Sequence, residues 1–367
     1  MKTRLGIIFG GRSDEHEVSI LSAASVLTAI DRGKYEVAPF IIDKSGVWRL
    51  VENGIEDITE LSDPRLSSLA SNAVKVSISD FDSMTDFAFP LMHGPYGEDG
   101  TIQGLFEMLG KPYAGCGVAA SAVTMDKIFT KQIWGKNGLP GCKYTYTTRH
   151  ACAASADGVA TDGVAADGVA ADGVAKEAAR IENEIPYPIF VKPANTGSSI
   201  GVAKVHDLAS LKAAMEKAFK YDKRVIAEQA VDGREIEIGV VGNDEPKASV
   251  VGEIIPEAEY YDFESKYLSG NTKLDIPADL PDNIRYEVES LATEAYRALD
   301  GEGFARVDLF YDEKQGKVYL NEMNTIPGFT RYSMFPLLWQ AKGVSFTELI
   351  ERIIELGYER HNSARNR

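Results

Sequence analysis

The segment FARVDLFYDEKQGKVYLNEMNT, residues 304–325, reads as two strands joined by a charged turn. With the turn centred on Gln315, Asp308 lies opposite Glu322 and Arg306 opposite Asn324. Side chains alternate along a strand with period two, so all four share one face. Two carboxylates and an amide oxygen then converge beside a guanidinium. Facing carboxylates repel, and a cation between them resolves the conflict. Hard oxygen donors of this kind suit Mg²⁺ or Mn²⁺ held together with nucleotide phosphates. The plain alternative is a surface charge cluster, and the choice rests on what else the chain carries.

A second segment makes that choice. In FVKPANTGSSIGV, residues 190–202, Lys192 ends a strand where its ammonium can meet α- and β-phosphate oxygens. The turn Gly197-Ser198-Ser199 leaves backbone N–H groups free to close over a γ-phosphate. The alternating stretches RVIAEQAV (224–231) and REIEIGVVG (234–242) offer Glu228 to an adenine amine and Glu235 to a ribose hydroxyl. Taken alone, the loop is only a turn. Lysine, loop and hairpin together point to phosphoryl transfer from ATP.

The bulk properties agree with such a site. The chain has 367 residues, enough for two or three domains, and 44% of them are hydrophobic. A net charge of −16 argues against a nucleic-acid binder, which needs a basic face. Three cysteines and five histidines without metal-ligand spacing argue against zinc and for free thiols in a reducing compartment. The N-terminal apolar stretch is too short for a signal peptide, and no later stretch is long enough to span a bilayer. A cytoplasmic protein is expected.

The first third alternates strand and helix: RLGIIFG, a helix over Glu17–Ile30, YEVAPFIID, DFAFPLMHG, and the helix TIQGLFEMLG. This rhythm predicts a parallel sheet with ligands at the carboxyl ends of its strands, where Gly10, Gly11 and His93 lie. The turn GGRSDE lacks the dinucleotide pattern G-x-G-x-x-G. Glu15 and Glu17 near a helix N-terminus suit an ammonium better than a pyrophosphate, which sets a dehydrogenase reading aside. SAVTMDKIFTKQIWGKNG reads as one helix with Lys127 in its first turn. The repeat ADGVA-TDGVA-ADGVA-ADGVA, residues 156–175, has a five-residue period matching neither helix nor strand. It is expected to be a surface insertion with no packed face. A polar, aromatic-rich connection, residues 256–277, is long enough to act as a lid.

The motifs FGGRSDEHEVS, LMHGPYGEDGTIQG, MDK, VKPANTGSSIGV, YYDFESKY, FARVDLF and NEMNTIPGFTRYS, in this order, make the chain resemble the D-alanine–D-alanine ligases, which are ATP-grasp enzymes. The match runs over nearly the whole length, and the repeat falls between motifs. The resemblance implies an α/β (α+β) fold of three-domain ATP-grasp architecture, beginning with a Rossmann-like parallel sheet. The expected spans are 1–122, 123–235 with the insertion, and 236–367 with the lid. It also implies that Lys127, Lys192, Ser199 and Lys266 contact ATP, with Glu228 and Glu235 on adenine and ribose. By the same resemblance, Asp308, Glu322 and Asn324 hold two Mg²⁺ or Mn²⁺ ions. Glu15 and His93 take the first D-alanine, Arg306 and the Gly328 amide form an oxyanion site, and Ser333 meets the second carboxylate. Ser198 and Tyr267 tie the lid to Glu15. A homodimer through the N-terminal domain is implied too. Two alternatives remain: a ligase taking D-lactate or D-serine second, and a nucleotide-binding protein without catalysis. The Lys266-Tyr267 pair argues against D-lactate, and the intact hairpin against lost catalysis.

Overall fold

The apolar run of β1 (Thr3–Gly10) is buried along most of its length, as a strand covered on both faces must be. With β2 (Tyr35–Ile42), β3 (Trp48–Leu50), β4 (Val74–Lys75) and β5 (Phe87–Pro90) it forms a sheet of order β4-β3-β2-β1-β5. The β2-β1-β5 core is parallel, as the alternation predicts, while β3 and β4 add an antiparallel edge. Gly10 and Gly11 turn the chain into the helix His16–Ala29 with φ of +83° and +98°. A Cβ at Gly10 would also lie 2.5 Å from the Ile42 carbonyl oxygen, so the position requires glycine. The structure, a computed structural model, describes residues 2–52, 55–60, 63–155, 171–197, 200–255 and 273–365. Ser198, Ser199, Lys266, Tyr267 and most of the expected lid lie outside them.

A second sheet, wholly antiparallel, has the order β6-β9-β7-β8. Its strands are β6 (Tyr144–Thr148), β7 (Ile189–Pro193), β8 (Ala203–Val205) and β9 (Arg224–Gln229). The single helix expected around Lys127 is two helices, Val118–Met125 and Lys127–Lys136. Asp126 breaks them apart by leaving helical geometry and accepting from the amides of Ile128 and Phe129. Lys127 thereby becomes the first residue of a capped helix aimed at the β7 loop.

The repeat also needs correction. Its first three units, residues 156–170, lie outside the described residues, but the fourth opens the helix Ala171–Glu184. Val174 is fully buried in a core with Cys152, Ala178 and Ile181. A five-residue period cannot sustain a face, yet one unit joined to KEAARIENE supplies the first position of an i, i+4, i+7 stripe. Gly173 has no room for a side chain, since a Cβ there would fall 1.6 Å from the Cys152 carbonyl oxygen. Val174→Ala should therefore cost about 2 kcal/mol of stability, from lost burial and a residual cavity. Thermal denaturation reads this directly, and an unchanged midpoint would return the unit to the surface.

The third sheet, order β12-β11-β10-β13-β14, comprises β10 (Arg234–Val241), β11 (Lys247–Ile255), β12 (Lys273–Asp275), β13 (Phe304–Asp312) and β14 (Lys317–Asn324). The change of sheet falls between Gln229 and Arg234. Along β13, Ala305, Val307 and Leu309 pack beneath the helix Asp282–Ala298, leaving Arg306 and Asp308 on the opposite face. The expected cross-strand pairs Arg306–Asn324 and Asp308–Glu322 are present, but the hairpin is not symmetric about Gln315. Near the turn the pairs are Asp312–Lys317 and Leu309–Leu320, and one extra residue, Asn321, shifts the register. That bulge lets Leu320 face the core while Glu322 faces the other way.

Cores cross from sheet to sheet. Trp134, on the helix Lys127–Lys136, belongs to the core of the third sheet. The C-terminal helix Phe346–Arg365 returns Leu349, Ile350, Ile353 and Ile354 to the core of the first. The helix Met334–Ala341, which sequence periodicity did not reveal, sets Phe335 and Trp339 against Gly239 of β10.

Candidate active site

One cleft of about 1150 Å³ is bordered by strands of the second and third sheets and by the helix His16–Ala29 and the loop after β5 of the first. Lys127 and Lys192 line one wall, Arg306, Glu322 and Asn324 another, and Glu15 and His93 one end. Glu235, Gly328 and Ser333 line it as well. Sequence-distant residues have thus been brought to one cavity by strand ends and by the loop after β14.

The lysine wall is charged and part-buried. Lys192 Nζ lies 2.7 Å from Glu228 Oε2, and Lys131 Nζ lies 3.2 Å from Glu228 Oε1. Burial alone would raise the Glu228 pKa, but the two ammonium groups outweigh it and hold the carboxyl down at about 2. Burial opposes the charge of Lys192 too, yet Glu228 keeps its pKa above the ordinary lysine value. Lys127 differs: burial first, then the charges of Lys192 and Lys131, lower its pKa against the pull of Glu322. Its ammonium donates to the Thr196 carbonyl at 2.6 Å, and among the described residues no carboxylate is within ion-pair distance of it. Glu228, expected to accept from an adenine amine, is also the counter-ion between two lysines.

The hairpin wall holds a guanidinium fork. Arg306 donates through Nε and Nη2 to both oxygens of Asp308, at 2.6 and 2.7 Å. Its Nε also lies 3.1 Å from Glu237 Oε2, and Asn324 donates to Asp308 at 2.9 Å. Burial works against the Arg306 charge, but Asp308 and Glu237 keep it protonated far above the ordinary range. No group of three or more His, Cys, Asp or Glu residues among the described residues forms a ready metal cage. Two carboxylates and an amide nevertheless supply hard oxygens on one face, so the donor set fits Mg²⁺ or Mn²⁺ with phosphate and water completing the shell. Asp308 would have to share or release its contact with Arg306.

At the third end, both ring nitrogens of His93 are engaged. Nδ1 donates to the Ile326 carbonyl at 2.9 Å, so neutral Nε2 accepts from the Ser22 hydroxyl at 2.9 Å. Burial, the largest influence, lowers the His93 pKa and favours this neutral form. The ring ties the end of β5 to the loop after β14. Glu15 sits at the start of the helix His16–Ala29, its Oε2 beside Gly94 and Gly197. Glu17, expected near the same ligand, pairs with Lys44 at 2.8 Å on the surface instead. Ser333 opens the helix Met334–Ala341, and its hydroxyl contacts Thr330 Oγ1 at 2.8 Å beside Gly328.

Residues 4–116 match the D-ala D-ala ligase N-terminus and residues 166–355 the D-ala D-ala ligase C-terminus. The chain belongs to the D-alanine–D-alanine ligase family. It is 45% identical to the D-alanine–D-alanine ligase of Geobacillus thermodenitrificans, over 98% of this chain and 97% of that one. The D-alanine–D-alanine ligase of Acetivibrio thermocellus is 44% identical over the same shares. Among solved structures, the D-alanine–D-alanine ligase of Coxiella burnetii superposes with a TM-score of 0.82 at 31% identity, covering 100% of this chain and 96% of that one. The D-Ala:D-Ser ligase VanG of Enterococcus faecalis gives 0.81 at 32% identity, covering 97% and 100%. The three-sheet α/β architecture is thus the fold expected of an ATP-grasp ligase.

Three further charged residues of this ligase belong to the site although no sequence motif marks their role. Lys131 lies four residues after Lys127 on one helix face, a spacing that predicts a shared neighbour. Glu237 lies two after Glu235, and strand alternation puts it opposite Asp308. Glu98 accepts from the amides of Gly94 and Ile326, at 2.7 and 3.2 Å, which only the assembled fold shows.

Glu98 gives a pH prediction. Burial first, then the charge of Glu15, push its carboxyl up to about 8, against the two amide bonds. The folded state keeps a proton that the unfolded chain loses near 4.5, so stability falls as pH rises from that value through about 8. Glu98→Gln should melt with the parent enzyme near pH 4 and above it at pH 8.5. Calorimetry across that range checks this, and parallel curves would refute the shift.

Proposed function

We propose that the cleft joins two D-alanine molecules with ATP as phosphoryl donor, releasing ADP and phosphate and supplying D-alanyl-D-alanine for peptidoglycan. The observation that carries this reading is the convergence of Lys127, Lys192, Glu322, Asn324, Arg306 and Glu15 on one cavity. Lys127 and Lys192 meet the nucleotide phosphates, with Glu235 and Glu228 toward ribose and adenine. Asp308, Glu322 and Asn324 hold Mg²⁺ or Mn²⁺, two ions by the family resemblance; bound there, these offset phosphate charge. Glu15 receives the ammonium of the first D-alanine, and His93, with both nitrogens occupied, orients the loop around it rather than touching protons.

The first D-alanine's carboxylate oxygen attacks the γ-phosphorus, giving an acyl phosphate and ADP. The amine of the second then attacks the carbonyl carbon, and the C–O bond to phosphate breaks. Arg306 and the Gly328 amide face the oxyanion between these events, where preorganised donors are typically worth about 3 kcal/mol. Ser333, at a helix N-terminus, takes the second carboxylate. Ser198, Ser199, Lys266 and Tyr267 keep the roles that the resemblance implies. A homodimer and a cytoplasmic location belong to the same proposal; among the described residues no helix is long and apolar enough to cross a membrane.

D-Serine as second substrate is the competing reading, favoured by the likeness to VanG. Release of ADP and phosphate is measured with D-alanine alone, then with D-serine or D-lactate added, and products are separated by chromatography. Dipeptide from D-alanine alone is expected to predominate at every ratio. A mixed product as the main species would reassign the second subsite.

A further inference from the structure

We propose that Lys131 is a positioning residue that sets how freely Lys192 can engage phosphate, and that it does so by sharing Glu228. The inference rests on the nucleotide placement proposed above. Lys131 is 5% exposed and does not line the cleft, so it acts through its neighbours rather than on substrate.

Its ammonium has three contacts. Glu228 Oε1 lies 3.2 Å away, the Asn321 carbonyl 3.4 Å and the Cys142 sulfur 3.6 Å. Asn321 is the extra residue of the β14 bulge, whose backbone falls outside the ladder pairing. Lys131 therefore joins β9 of the second sheet to the residue immediately before Glu322 in the third.

The electrostatic consequence follows from counting charges around Glu228. One carboxylate faces two ammonium groups, so the cluster carries a net positive charge beside the cleft. Lys192 then shares its counter-ion, and an arriving phosphate competes with only part of the Glu228 charge. Without Lys131, Glu228 and Lys192 would form a neutral buried pair at 2.7 Å, and phosphate would have to displace the whole of it. The raised pKa of Lys131, which Glu228 maintains against burial, keeps this charge in place throughout the physiological range.

A double-mutant cycle isolates the effect from simple packing. ADP binding to the full-length enzyme is measured by calorimetry in Mg²⁺ buffer for the parent protein, K131M, E228Q and K131M/E228Q. K131M should weaken ADP about 10-fold and raise KM for ATP in step, while KM for D-alanine moves less than about 2-fold. In the E228Q background, where Glu228 no longer holds Lys192, the same substitution should change ADP affinity by less than about 3-fold. Equal losses in both backgrounds, or unchanged affinity in K131M, overturn the proposal. If K131M alone does not fold, E228Q against K131M/E228Q decides: a further drop beyond about 3-fold contradicts it, and its absence supports it. K192M reports on the underlying placement separately. If it binds ADP as tightly as the parent enzyme, the nucleotide does not lie on this wall, whatever Lys131 does.

Discussion

Glu322→Gln should lower kcat by at least about 100-fold while ADP still binds, several-fold more weakly. The change preserves shape and removes one charge from the face that pairs with Asp308. That charge acts on Lys127, Lys192 and Arg306, so its loss also leaves the cleft more positive. ADP binding, carried mostly by the lysine wall, should survive; orientation of the γ-phosphoryl group should not. Stopped-time ADP release at saturating Mg²⁺, with calorimetric ADP binding on the same sample, checks both halves. Turnover within about 5-fold of the parent enzyme would remove Glu322 from the metal site.

Arg306→Lys is the second large effect. Lysine keeps the charge but not the planar fork that engages both Asp308 oxygens and approaches Glu237. The kcat should fall by about 100- to 1000-fold with little change in KM for ATP, because the lost contact is one made in the transition state. Stability should fall too, since a poorly paired buried carboxylate remains; breaking such a pair outright costs about 3–5 kcal/mol. Steady-state kinetics and thermal melting separate these outcomes. A variant with near-normal kcat would mean that Arg306 is only the structural partner of Asp308.

Local pattern made much of this site legible. Period-two alternation placed Arg306, Asp308, Glu322 and Asn324 on one face, and the parallel core of the first sheet followed from strand and helix rhythm. The pairing came out correctly although the turn was misjudged, because the bulge at Asn321 restored the register that a symmetric hairpin would have had. A bulge has no composition of its own, so sequence could not show it. The split at Asp126 was missed because MDK continues an apolar helical pattern, and only the cap geometry reveals the break. Val174 was missed because a window spanning the repeat averages its last unit with three others. The partners of Glu228 and His93 lie 97, 36 and 233 positions away in the sequence, respectively at Lys131, Lys192 and Ile326, and no local pattern reports contacts at such range.

The central claim, that a D-alanine carboxylate takes the γ-phosphoryl group before the peptide bond forms, is tested most directly by oxygen transfer. D-Alanine labelled with ¹⁸O in both carboxylate oxygens is incubated with ATP, Mg²⁺ and enzyme, and inorganic phosphate is analysed by mass spectrometry. Each phosphate released should contain one ¹⁸O atom, carried over when the C–O bond of the acyl phosphate breaks. Phosphate free of label, formed in step with dipeptide, would contradict it.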